Sequence, residues 1–133
     1  MANTHKAIAT TTVGSGGASS IDFTSIPGTY TDLKVVMSAR TSAAVGADNC
    51  VVNISFNDST SSFTNKYIEF YGSGIVWTTT GTRLVAITGG TLGTANTFMN
   101  GEIYIPNYTS SSNKAYLTNW VSEENSTTRA VGS

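Results

Sequence analysis

The sequence is poor in charge. Asp, Glu, Lys and Arg make up 11% of it, against about a quarter of an ordinary globular chain. Seven basic and eight acidic residues leave a formal net charge of -1, and the basic ones fall singly between Lys6 and Arg129. No stripe of positive charge is present to follow a phosphate backbone, so nucleic acid is not an expected partner. No stretch approaches the roughly 18 continuous apolar residues of a membrane span, and MANTHKAIATTT at the start lacks the apolar core of a signal peptide. The expectation is a protein made in a cytoplasm, without membrane contact.

Histidine and cysteine are equally sparse. His5 is the one histidine and lies four residues from the start in a polar segment, so a Ser/His/Asp or Cys/His arrangement would need the terminus folded into a site. One His and one Cys fall short of a zinc centre built from nitrogen and sulfur ligands, and no metal or cofactor is expected. The single Cys50 excludes an intramolecular disulfide, and its strand-like neighbours in CVVNISF make it a buried small hydrophobe. Helix signals are missing as well: Gly, Thr, Ser, Asn, Val, Ile and Tyr dominate, and no window carries an apolar i, i+3, i+4, i+7 stripe.

What the chain has instead is hydroxyl and strand. Ser and Thr supply roughly 30% of its 133 residues, so the surface is polar through hydroxyls and amides rather than charge. Strand-like runs recur at Lys6–Val13, Ser20–Ser25, Asp32–Arg40, Cys50–Asn57, Lys66–Gly72, Gly74–Thr79, Arg83–Thr88, Phe98–Asn107 and Ala115–Glu123. Turn-rich segments such as GSGGAS, SAAVGADN, DSTSS and TSSSN separate them. In Asp32–Arg40, alternation places Leu33, Val35, Met37 and Ala39 on one face; in Cys50–Asn57 it places Val52, Ile54 and Phe56 together. Many short strands without helical crossovers predict one all-β domain over residues 1–133, an antiparallel, jelly-roll-like β-sandwich, with residues 1–6 as a mobile arm. In Ile26-Pro27-Gly28-Thr29, Pro27 fixes its own φ and Gly28 is free to adopt positive φ, which predicts a corner between two strands.

Candidate chemistry is thin. Nothing in the spacing of the eight carboxylates selects a glycosidase pair; Glu69 and Glu102 are the first two to consider, and both read as solvent-face positions of strands. GSGG at Gly14–Gly17 lacks the Lys-Ser/Thr ending of a phosphate loop and reads as a turn. Four Asn-X-Ser/Thr sequons, beginning at Asn53, Asn57, Asn107 and Asn125, follow from composition in so Ser/Thr/Asn-rich a chain. The aromatic residues form the one candidate binding surface: Trp77, Tyr104, Tyr108, Tyr116 and Trp120 lie in or beside strand-like runs and would serve either as subunit contacts or as a stacking face for sugar rings.

The order of TVGSGGASSIDFTSIPGTYTDLKVVMSAR (Thr12–Arg40), NISFNDSTSSFTNKYIEFYGSG (Asn53–Gly74) and NGEIYIPNYTSSSNKAY (Asn100–Tyr116) resembles a group of small virion or tail-fibre-like proteins of tailed phages, many marine or cyanobacterial. The resemblance implies a non-enzymatic virion structural protein, a capsid decoration or fibre subunit assembled in the host bacterial cytoplasm. It implies a homo-oligomer, with a trimer favoured, in contact with other virion proteins. The alternative it allows is a carbohydrate-binding module of a tail fibre that holds host glycan. Relatives of this type continue past the EEN segment (Glu123–Asn125) with more strand-like sequence, so a neighbouring subunit, or residues past Ser133, are expected to complete the sheet.

Overall fold

The computed structural model describes residues 5–43, 50–71, 74–80, 83–88, 90–91, 94–122 and 130–132, with side chains described throughout these except at 69, 71, 74–80, 87 and 130–132. Eight strands and no helix occur among them: β1 (Leu33–Ala39), β2 (Val51–Asn53), β3 (Asn65–Tyr71), β4 (Gly74–Thr80), β5 (Leu84–Ile87), β6 (Met99–Ile105), β7 (Leu117–Ser122) and β8 (Ala130–Gly132). They form a six-stranded sheet in the order β1-β6-β7-β8-β3-β4 and a two-stranded sheet, β2-β5. Every pairing is antiparallel.

The alternation read in the sequence decides which way the large sheet faces. In β1 the odd-numbered residues Leu33 to Ala39 are half-buried and Lys34, Val36 and Ser38 are exposed. Register carries this across to β6, where Val35 opposes Ile103, Met37 opposes Gly101 and Ala39 opposes Met99. It continues into β7, where Gly101 opposes Trp120 and Ile103 opposes Thr118. The inner face therefore gathers Met99, Ile103, Ile105 and Trp120, each less than 5% exposed.

The short β2-β5 sheet covers that face. Leu84 and Ala86 pack with Met99 and Trp120, with Met37, Ala39, Val52 and Tyr67 around them. Val85, on the other side of β5, packs with Ile103 and Ile105 and with Val52, Ile54, Phe56, Tyr108 and Tyr116. Burial on both sides of β5 agrees with its uninterrupted apolar sequence LVAI. Cys50 is buried as a small hydrophobe next to β2, and the backbone N–H of Thr88 donates to its carbonyl at 2.7 Å.

Two turns have specific chemistry. Asn57 and Asp58 both take positive φ, 49° and 61°, between the bridged residues Phe56 and Ser59. That is the two-residue tight turn for which Asn and Asp are suited. Gly17, at φ 74°, donates its N–H to the Gly14 carbonyl at 3.0 Å, which makes GSGG a turn.

Three expectations need correction. Residues 6–13 and 20–25 form no strand, and residues 5–29 are exposed throughout; a strand needs a partner edge, and among the described residues none meets these runs. The uncovered segment is accordingly longer than an arm of six residues. The turn at Gly28 and Thr29 leads from this segment into β1 instead of joining two strands, and the positive φ falls on Ser25, at 55°, not on Gly28. Finally β8, only three residues long, escaped the sequence reading and links β7 to β3.

Candidate interaction surface

The five aromatic candidates do not share a face. Trp120 is 3% exposed and fills the space that Gly101 leaves open in the neighbouring strand, where an added Cβ would stand 3.0 Å from the Trp120 Cβ. Its indole Nε1 is buried with no hydrogen-bond partner. Tyr116 is half-buried beside Phe56, with ring centroids 6.4 Å apart. Its hydroxyl is also buried without a partner, and burial raises its pKa. Trp77 sits at a position of β4 opposite Ile68, and its side chain lies outside the described residues.

Tyr104 and Tyr108 remain, and both hold the corner ahead of β1. Tyr108 donates its hydroxyl to the Pro27 carbonyl. Tyr104 donates to Asp32 Oδ2 at 2.7 Å, while the Asn107 N–H donates to Oδ1 of the same carboxylate at 2.9 Å. Asn107 reaches this position at φ 47°, a conformation Asn tolerates better than most residues. These donors, the Asn107 N–H first, hold the Asp32 carboxyl below its usual pKa, and the carboxylate raises that of Tyr104. An open cleft of about 430 Å³ lies beside the clamp, lined by His5, Tyr30, Asp32, Lys34 and Tyr104 among others.

The carboxylates do not converge either. Glu102 is on the outward face of β6 and pairs with Lys34 at 2.5 Å, the hydrogen bond from Lys34 being the main reason its pKa falls. Position 69 has the same parity as Tyr67, which packs toward the core, so it is not the solvent-face position expected of it, and the two glutamate positions belong to opposite faces of the sheet. Among the described residues no group of three or more His, Cys, Asp or Glu is placed to hold a metal, and no helix is long and apolar enough to cross a membrane.

The surface that does stand out is apolar and was not singled out by sequence reasoning. On the outward face of the six-stranded sheet Val36 is 75% exposed, Leu117 67%, Phe70 52% and Val121 48%. Register aligns Val121 with Val131, Val131 with Phe70 and Phe70 with Ile75, one row of apolar positions across four adjacent strands. The signal was present: each of these strands is apolar at both parities, as in the Val35-Val36 pair. The segment before β1 adds Ile8, Val13, Ile21, Phe23 and Ile26, each between 36% and 48% exposed.

Comparison with protein-family models, with curated proteins and with solved structures returns no match.

Proposed function

We propose that the chain is a non-enzymatic structural subunit of a phage virion, a capsid decoration or fibre protein whose work is to assemble. The observation that carries this reading is the surplus of uncovered apolar surface. Among the described residues twelve large apolar side chains are exposed, against eight apolar residues in the core. The accessible surface is 9208 Å², where a compact monomer of this mass exposes about 6,700 Å². Exposed apolar side chains gathered in one row of a sheet mark an interface, and the scarcity of charge agrees with surfaces made to be covered.

The phage assignment is supported by the resemblance of Thr12–Arg40, Asn53–Gly74 and Asn100–Tyr116 to virion proteins. On the same reading the two sheets are the layers of a jelly-roll-like sandwich, with the β2-β5 layer small because neighbouring subunits share in covering the core. Assembly takes place in the host cytoplasm and the product resides on the particle as a homo-oligomer, with three copies favoured.

Immunogold labelling of intact virions tests the assignment. Label over the head supports decoration, label along fibres supports a fibre subunit, and absence of label from infectious particles overturns the virion reading.

A second reading, a host-glycan module, is favoured by one feature: the cleft that brings Tyr30 and Tyr104 together with Asp32 and Lys34. Tyr rings stack on sugars while the charged groups bond hydroxyls. The burial of Trp120 removes one of its expected contacts. Retention on immobilised host polysaccharide, lost in Tyr104→Ala, would favour this reading over a purely structural subunit.

A further inference from the structure

Two unsatisfied features of the surface match one another. The first is the segment ahead of β1, exposed from residue 5 to residue 29, which carries five exposed large apolar side chains and two runs with strand-like composition but no strand. The second is the outward face of the six-stranded sheet, with Val36, Leu117, Val121 and Phe70 uncovered. We infer that residues 6–26 of one copy lie across this outward face of a second copy, so that the partner recognised by the apolar face is the arm of another identical chain. This rests on the reading of the chain as an assembly subunit and names what holds the assembly together.

Area argues for a second copy. The total accessible surface, polar and apolar together, exceeds that of a compact monomer by about 2,500 Å², and a standard protein interface takes only about 800 Å² from each partner. An arm that is given to one neighbour while the face receives another's arm covers both surfaces at once. Two outward faces packed against each other would leave the arm uncovered.

Charge argues the same way. Residues 6–26 contain only Lys6 and Asp22 as charged groups; on the face Lys34 and Glu102 neutralise each other, and Lys66, exposed and of the parity of Phe70, adds a single positive charge. Two surfaces this close to neutral suit one another and offer little to a strongly charged partner.

Geometry permits the exchange. The base of the arm is held at the end of its own sheet by Tyr108 on the Pro27 carbonyl and by the Asp32 clamp. Beyond that anchor, twenty-one residues (6–26) extend to about 70 Å, whereas six strands span about 24 Å. Reach therefore does not limit contact with a neighbour.

Site-specific crosslinking tests the inference. One chain carries Phe23→Cys and a second, differently tagged, carries Leu117→Cys, both in a Cys50→Ala background, and the two are co-expressed and oxidised. The expected result is a disulfide-linked heterodimer at several-fold the yield obtained when Asn57→Cys, at the exposed hairpin, replaces Leu117→Cys. If Cys50→Ala does not fold, the pair is made with Cys50 retained, since its thiol is buried and a chain with Cys50 alone serves as the blank. A product formed only within one chain carrying both substitutions would mean that the arm covers its own sheet and would overturn the inference. Oligomers without any arm-to-face product would overturn it and leave the assembly reading standing; a monomer throughout would overturn both.

Discussion

Gly101 of β6 and Trp120 of β7 face each other across adjacent strands, and an added Cβ on Gly101 would stand 3.0 Å from the Trp120 Cβ and 3.1 Å from the Asn119 carbonyl oxygen. Both obstacles are fixed by backbone geometry, so neither yields by a rotamer change. Met99 Sδ, at 3.3 Å, is the one neighbour able to move. Gly101→Ala is expected to destabilise the fold by about 1–3 kcal/mol through overpacking, read as a lowered thermal midpoint. An unchanged midpoint would mean that Trp120 is not packed against this strand.

The Asp32 clamp contributes to the acid limb of stability. Its carboxyl is held below the ordinary value of about 3.9 by the Asn107 N–H and the Tyr104 hydroxyl. A depressed folded pKa contributes stability that is fully present above the unfolded value and is lost as pH falls through the folded one. Asp32→Asn is expected to lower the urea midpoint at neutral pH, with the two proteins converging in strong acid. A constant difference across the acid range would contradict the clamp.

Tyr116 acts at the other end of the pH scale. Burial raises its pKa, so the stability it contributes is present below the unfolded value of about 10 and is lost as pH rises through the folded value. Tyr116→Phe removes both this titration and a buried hydroxyl without a partner. The variant should gain about 1 kcal/mol at neutral pH and show a shallower alkaline limb. A loss of stability would show that the hydroxyl has a partner.

The Lys34–Glu102 pair contributes little to stability. Both side chains are more than a third exposed, and solvent screening leaves pairs of this kind little net contribution. Glu102→Gln is expected to leave the thermal midpoint within a degree or so of the parent at physiological salt, while leaving an uncompensated Lys34 on the outward face and weakening self-association. A large loss of monomer stability with unaltered association would invert these roles.

Much of the architecture was legible in the residues, and the reasons are particular. Strict alternation in β1 and in Val52, Ile54 and Phe56 reads directly as one buried face, because side-chain direction in a strand depends on parity alone. Strand pairing is another matter. KAIATTTV has the composition of a strand but pairs with none of the sheet edges among the described residues, and pairing is a property of two segments that local reading examines one at a time. The fate of Trp120 was hidden for the same reason: its burial depends on the absent side chain of Gly101, nineteen positions away. Tyr104 and Tyr108 lie beside strand-like runs as expected, yet their hydroxyls serve the corner at Pro27 and Asp32, a partnership that only the register of β1 with β6 creates. The apolar outward face escaped notice because residues at both parities of these strands are apolar, and which of them is covered depends on where β2 and β5 lie.

The most direct test of the account is the molar mass of the purified full-length chain, measured by light scattering at micromolar concentration in physiological salt. An assembly subunit with this much uncovered apolar surface is expected at a whole-number multiple of 13.9 kDa, three copies being favoured, and deletion of residues 6–26 should lower that number. A monodisperse species of 13.9 kDa would contradict the claim that these surfaces exist to be covered.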